Sequence, residues 1–240
     1  MIPQVDPEKY SNEELNRLFK KISSCGVTHI AVGGTFVNPV KLQNLITIAV
    51  KDFDFSLVTY LSNSSTSLVT GIKNKTAVYW MSIFNAENPF YLRDNLILAS
   101  IPIKESYFEP IPTAYVFDDR GQNASANWLA RATPVPRDKP EISLSIALAV
   151  QFLGVRFYIM AGGSGSPIPP PLNHIKTLVK NSTLFIIPTS GINSVEAAKE
   201  IFAAGADAIH VGQLIENENG WGTFVKMTQI AAKYDGKSFL

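Results

Sequence analysis

Short apolar runs rich in β-branched and aromatic residues recur along the chain, and between them lie longer stretches whose apolar positions fall three and four apart. The first pattern is that of a buried strand, the second that of an amphipathic helix. Strands are predicted at THIAVGG (28–34), FSLVTYL (55–61), AVYWMSIF (77–84), PTAYVF (112–117), VRFYIMA (155–161), LFIIPTS (184–190) and DAIHVG (207–212), with a weaker first run, IPQVD, at 2–6. Helices are predicted over Ser11–Ser24, with Ser11 as cap and glutamates in the first turn, and over Pro39–Lys51, Lys139–Leu153, Pro171–Val179, Ser194–Ala204 and a stretch after Gly222. Eight strands separated by crossovers imply a parallel sheet. At 240 residues the leading architecture is one α/β domain spanning 1–240, a closed (β/α)8 TIM barrel, with an open doubly wound sheet as the alternative.

Two segments break the alternation. Residues 62–76, SNSSTSLVTGIKNKT, are polar, β-branched and glycine-containing where a helix should follow the third strand, so that helix is expected to be absent or replaced. Residues 118–138, DDRGQNASANWLARATPVPRD, form a long insertion after the fifth strand and read equally as a lid or binding loop and as a disordered excursion.

Composition narrows the partners. With 46% hydrophobic residues the chain can bury a large core, and a formal charge of +1 leaves no electrostatic footprint for nucleic acid. Cys25 is the single cysteine and His29, His174 and His210 are scattered, which argues against disulfides and against thiolate or histidine metal clusters. The opening MIPQVDPEKYSNEE has no basic region followed by an apolar run, and no stretch of about 18 uncharged apolar residues occurs elsewhere. A soluble, untargeted, cytoplasmic protein is expected.

In a barrel, chemistry belongs to the loops at the C-terminal strand ends. Those positions are Asp6 after the first strand, Gly33-Gly34-Thr35 after the second, Ala161 to Gly165 after the sixth, Thr189-Ser190-Gly191 after the seventh and Gly212-Gln213 after the eighth. Three consecutive late strands thus end in glycine, which suits a phosphate clamp of backbone N–H groups at Gly162 to Ser164, Ser190-Gly191 and Gly212-Gln213. Three coincidental tight turns are the bland alternative. Ser190 to Ser194 leads into a predicted helix, whose start would add its own N–H groups. Asp6 alone reads as a turn residue; with the hydroxyl of Thr35 it could hold hydrated Mg²⁺, a hard ion that takes oxygen ligands. The aromatic segment Tyr79-Trp80-Met81 with Phe84, Phe90 and Tyr91 is chiefly core, with an apolar groove for a hydrocarbon chain as the minority reading.

Several segments in one order carry a family resemblance. Asp6-Pro7-Glu8-Lys9 is similar to DPDK, Gly33-Gly34-Thr35 to GGS or GGT, Met81 to Pro89 to MSxxNSxNP, and Glu109 to Tyr115 to EPIPxAY; Pro136 to Ile142, PRDKPEI, matches a further segment. From end to end the chain resembles the geranylgeranylglyceryl phosphate synthase family, archaeal prenyltransferases that make the first ether bond of membrane lipids. The resemblance implies a (β/α)8 barrel with a modified third crossover, which agrees with the odd 62–76 stretch. It also implies Mg²⁺ bridging a prenyl diphosphate to Asp6 and Thr35. Glycerol 1-phosphate would be held by Tyr158, Ile159, Met160, Ala161, Gly162, Gly163 and Ser164, by Ser190 and Gly191, and by Gly212 and Gln213. A homo-oligomer, with no integral membrane segment and with transient membrane contact, is expected.

The departures are specific. Where the family's YLEAGSGA loop carries a glutamate, taken to deprotonate the glycerol hydroxyl, this chain has Met160, and AGGSGS follows in place of AGSGA. The family's triple glycine is Thr189-Ser190-Gly191, and its final pair carries Gln213. Two function classes therefore stand: a Mg²⁺-dependent prenyltransferase joining geranylgeranyl diphosphate to sn-glycerol 1-phosphate, with its catalytic base unassigned, and a catalytically impaired or repurposed phosphate-binding paralogue. A barrel isomerase of aldose phosphates is weaker, because no acid/base pair stands at the strand ends.

Overall fold

The computed structural model describes residues 1–62, 68–120 and 124–234. Strands β1 (Ile2–Val5), β2 (His29–Val32), β3 (Ser56–Tyr60), β4 (Thr76–Ile83), β5 (Glu109–Phe117), β6 (Phe157–Ala161), β7 (Phe185–Thr189) and β8 (His210–Val211) follow in order around a closed barrel. Every predicted run thus contains a strand, although β8 is cut to two residues and β5 starts three residues earlier than its apolar core, at Glu109. The ladders are parallel, as crossover helices require.

Helix α1 (Asn12–Ser24) starts at Ser11 in a reciprocal capping box with Glu14, and α2 (Pro39–Lys51) starts with Pro39 in its first turn and the Asn38 side chain accepting from Val40 and Lys41 N–H. Next comes α3 (Asn95–Glu105), which the periodicity does not announce. Its sequence NLILASIPIKE is apolar nearly all round, so although only the stripe of Asn95, Ala99 and Ile103 is buried, exposed Ile97, Leu98 and Ile101 hide that period in the sequence. Downstream are α4 (Ser125–Ala130), α5 (Pro140–Phe152), α6 (Leu172–Asn181), α7 (Val195–Ala203), α8 (Gln213–Glu216) and α9 (Trp221–Ala231).

The chain packs as two compact units. One comprises Ile2–Met81 with Arg93–Ile111; the other joins Ser82–Leu92 to Pro112–Leu240 and takes in Met1. In the first, Phe19 meets Phe53 and Phe55 edge-on at 5.7 and 5.6 Å, and Leu45 and Ile46 are fully buried beside Ile22 and Ile30. In the second, Tyr158, Ile159, Ile186 and Ile187 of the sheet and Ile175, Leu178 and Ile201 of the helices are all fully buried.

Both irregular segments have a local explanation. Among the described residues of 62–76 no α-helix forms, as the composition implies; residues 63–67 lie outside the described residues. The chain is instead pinned to α2, because the Gln43 amide takes Thr70 N–H at 2.8 Å and gives to Thr70 carbonyl at 3.1 Å. The insertion 118–138 is no loose excursion where described. It contains α4, pairs Ala86 with Ala132 and Asp118 with Val135, and is held by Asn85, whose amide nitrogen gives to the carbonyls of Phe117 and Thr133 at 2.9 and 2.7 Å.

Candidate functional site

Parallel register brings the late strand ends into one row. Phe117 stands beside Ala161, Ala161 beside Thr189, and Thr189 beside His210. Asp118, Gly162 and Ser190, each next along the chain, therefore leave the sheet at the same edge, with Gly212 following Val211. The glycine-bearing positions read from the sequence are neighbours in space. Gly162, Gly163 and Gly191 are buried, Ser190 and Gly212 are half-buried, and Ser164 and Gln213 are exposed at the rim.

Ser190 and Gly191 both adopt left-handed backbone, at φ 70° each. For Ser190 that is an uncommon conformation that needs outside support. At Gly191 a side chain is excluded outright, since a Cβ would overlap the Ile168 carbonyl, and the loop from Gly162 to Ile168 closes over the turn. The Ser190 N–H faces β8 through the Thr189–His210 bridge, whereas those of Gly191 and Ile192 enter no backbone hydrogen bond among the described residues, which leaves these two as the donors of the turn. Ser190 to Ser194 leads straight into α7, as the sequence implies, and Ser194 caps that helix, its hydroxyl accepting from Ala197 N–H at 3.1 Å.

The sequence places no charge within the glycine loop, and the fold supplies one from the insertion. Arg120 is buried against Gly162, where a Cβ would stand 2.7 Å from the guanidinium carbon. Its Nε and Nη2 give to the two oxygens of Asp118 at 2.7 Å each, Nη1 gives to the carbonyls of Ser190 and Ile168 at 2.8 and 3.1 Å, and Nη2 gives to that of Thr189 at 3.1 Å. All five guanidinium N–H groups are satisfied. Neither residue was singled out from the sequence; the available signal is a run of charge, Asp118-Asp119-Arg120, set directly at a strand end.

On β6, Tyr158, Ile159, Met160 and Ala161 are all buried, Met160 at 2% exposure, and strand alternation puts Tyr158 and Met160 on the same side. Met160 lies beside Val116 and Pro188 in the sheet, an apolar setting with no proton acceptor in the thioether beyond a weak one. The Tyr158 hydroxyl is buried without a hydrogen-bond partner; burial pushes its ionisation up, and nearby Ser143 offsets this in part without completing a bond. Ser143 instead meets His174 Nδ1 at 2.7 Å, while His174 Nε2 reaches the Arg137 carbonyl at 3.0 Å. A carbonyl can only accept, so Nε2 carries the proton and the PRDKPEI segment is tied to α6 through a neutral imidazole, whose protonation burial disfavours.

In the other unit, Asp6 follows β1 and caps a short turn, its Oδ1 accepting from Glu8 N–H at 3.0 Å. The carboxylate lies on Gly34, where a Cβ would approach it to 2.7 Å, and Thr35 is the next residue. Both Asp6 and Thr35 are half-buried. Glu8 of the same segment has a different duty: it accepts from Asn38 N–H at 2.7 Å and pairs with Lys41 at 2.9 Å, and these two contacts lower its pKa while fixing the start of α2. Among the described residues no group of three or more His, Cys, Asp or Glu gathers as a metal site. One carboxylate beside one hydroxyl is a hard-oxygen set that suits Mg²⁺ only where substrate oxygens and waters complete the shell.

The geranylgeranylglyceryl phosphate synthase of Korarchaeum cryptofilum is 33% identical over 88% of this chain and 85% of its own length, and that of Pyrococcus furiosus is 32% identical over 89% and 83%. A crystal structure of (S)-3-O-geranylgeranylglyceryl phosphate synthase from Thermoplasma acidophilum in complex with substrate sn-glycerol-1-phosphate superposes with a TM-score of 0.85 at 28% identity, covering 95% of this chain and 91% of that one. The pattern of the PcrB family matches residues 1–232, and the chain belongs to that family.

Proposed function

We propose that the protein joins a polyprenyl diphosphate, geranylgeranyl diphosphate in the first instance, to sn-glycerol 1-phosphate. That it is a prenyltransferase of the geranylgeranylglyceryl phosphate synthase type follows from its family and relatives. The observation that carries the choice of acceptor is the row of late strand ends, where the N–H groups of Gly191 and Ile192, in no backbone hydrogen bond among the described residues, stand beside the Gly162–Ser164 loop. Such a surface holds a phosphate without a cationic side chain in contact with it.

The reaction forms a bond from the glycerol hydroxyl oxygen to C1 of the prenyl chain, breaks the bond from C1 to the diphosphate oxygen, and releases the hydroxyl proton. Asp6 and Thr35 would hold Mg²⁺, which when bound offsets charge on the departing diphosphate. Gly162, Gly163 and Ser164 with Ser190 and Gly191 hold the glycerol phosphate, and Gly212-Gln213 adds the rim. Met160 cannot take the proton. We assign the proton to a phosphate oxygen of the substrates, since allylic diphosphate departure generates the electrophile and leaves less work for a base. No helix among the described residues is long and apolar enough to cross a membrane, so the prenyl substrate would be met by surface contact.

The buried apolar setting of Met160 favours one other reading, a phosphate-binding relative that no longer turns over. Labelled glycerol 1-phosphate, Mg²⁺ and prenyl diphosphates of graded length decide between them. Lipid-extractable product with at least one chain length is expected; binding of glycerol 1-phosphate with no product from any of them leaves the second reading.

A further inference from the structure

We propose that Arg120, locked to Asp118, is the positioning residue of the phosphate site, acting through the peptide groups of residues 189 to 191 and never touching the anion. The inference rests on the reading that this edge binds glycerol 1-phosphate.

The argument is one of peptide geometry. In a trans peptide the C=O and the following N–H point in opposite directions. Arg120 gathers the carbonyls of Thr189 and Ser190 at 3.1 and 2.8 Å, so the N–H groups of Ser190 and Gly191 point away from it. The third captured carbonyl, that of Ile168, precedes Pro169, which has no N–H to aim; this bond instead holds the β6 loop down on the turn. One guanidinium therefore keeps the Ser190 N–H turned to β8, where the Thr189–His210 bridge takes it, aims the Gly191 N–H at the open side of the turn, and fastens the loop beside it. It also supplies the support that left-handed Ser190 needs.

Asp118 makes this possible. Its two oxygens take Nε and Nη2 at 2.7 Å, and Oδ1 also accepts from Arg120 N–H at 3.1 Å, so the fork is fixed in plane before any ligand arrives. The side chains are 0% and 3% exposed for Arg120 and Asp118. With all five donors committed, Arg120 has none left for phosphate, and its charge is matched by its partner. What it contributes is direction, and a lysine ammonium at the end of a flexible stem cannot reproduce a planar five-donor fork.

The test uses the full chain. Removing one partner of a buried pair leaves the other charge stranded, so the informative variant is the double Asp118→Asn, Arg120→Met, accompanied by Arg120→Lys and by Asp118→Glu, which keeps both charges but moves the carboxylate by a methylene. Calorimetry with inorganic phosphate and with sn-glycerol 1-phosphate should show at least tenfold weaker binding of both in the double variant. The KM for prenyl diphosphate and kcat at saturating glycerol 1-phosphate should stay within about twofold. Arg120→Lys should recover less than half of the lost affinity. If the double variant does not fold, Asp118→Glu carries the test, with at least a threefold loss confined to the phosphate substrate. Wild-type affinity in the variants overturns the positioning role while leaving the phosphate site in place, and so does an equal loss for both substrates. A folded wild type that binds neither phosphate nor glycerol 1-phosphate overturns the site and this inference together.

Discussion

Gly34 and Gly162 each follow a strand, and each lies beneath a charged side chain that a Cβ would strike at 2.7 Å. Their neighbours differ. Asp6 over Gly34 is half-buried and belongs to a segment with exposed Glu8 and Lys9, whereas Arg120 over Gly162 is sealed from water and every donor it has is used inside the chain. The same sequence feature, glycine at a strand end, thus lies under a carboxylate that water still reaches in one region and under a guanidinium bonded wholly to protein in the other. A glycine tells that something approaches closely; it does not tell whether that thing is substrate or protein.

Alanine at the two positions separates these roles. In Gly162→Ala the new methyl meets a guanidinium that cannot move without giving up buried bonds, and a loss of about 3–5 kcal/mol is expected, the range for disrupting a buried pair. Urea unfolding measures it, and a loss under about 1 kcal/mol would show that the Arg120 fork is looser than its geometry implies. Met160→Glu probes the same region by adding charge. If a general base is restored, turnover should rise by about a hundredfold, the lower end of what such catalysis contributes. The gain should grow with pH, because burial beside Val116 and Pro188 raises the carboxyl pKa and only the ionised form accepts a proton. Equal turnover of the two proteins across pH would place the base on the substrate.

Around Gly34 the effects should be smaller and confined to binding. Asp6→Asn should weaken Mg²⁺-dependent diphosphate binding about tenfold with unchanged melting. Gly34→Ala should do the same to a lesser degree, since a half-buried carboxylate can swing aside. Calorimetry with and without Mg²⁺ checks both, and a wild-type affinity for Asp6→Asn would remove the metal assignment.

A last effect, spread over the whole acid range, is one of pH and stability. His210, in the row with Thr189, is buried and its imidazole pKa is lowered to about 3, chiefly by desolvation. The unfolded chain takes up this proton near pH 6.5 and the folded chain does not, so the stabilisation is complete above pH 6.5. It falls by about 1.4 kcal/mol per pH unit as pH drops from there towards 3. His174, shifted in the same direction by burial, adds to the slope just below pH 6.5. Denaturation at pH 7.5 and 5 should show the fall, and His210→Gln should flatten it; an unchanged slope in that variant would assign the effect elsewhere.

Alternation of apolar runs and amphipathic stretches was enough to read seven strands and the weaker first one, because burying strands behind helices imposes a repeating pattern on any chain. Helix starts were legible wherever a cap residue has a local partner, as at Ser11 with Glu14. Helix α3 was not, since a helix apolar on most sides has no period to detect. The glycines at 162, 163 and 191 and Asp6 marked the candidate site because their role depends on strand ends, which periodicity locates.

What lay beyond the sequence was which side chains come to rest on those glycines. Asp118 and Arg120 sit in a segment whose composition reads as a loop, and the carbonyls Arg120 gathers belong to residues 48 to 70 positions further along. No local pattern can encode contacts between segments so far apart. They exist because parallel register sets the ends of β5, β6 and β7 side by side, and because a buried guanidinium must find an acceptor for every N–H wherever the fold supplies one.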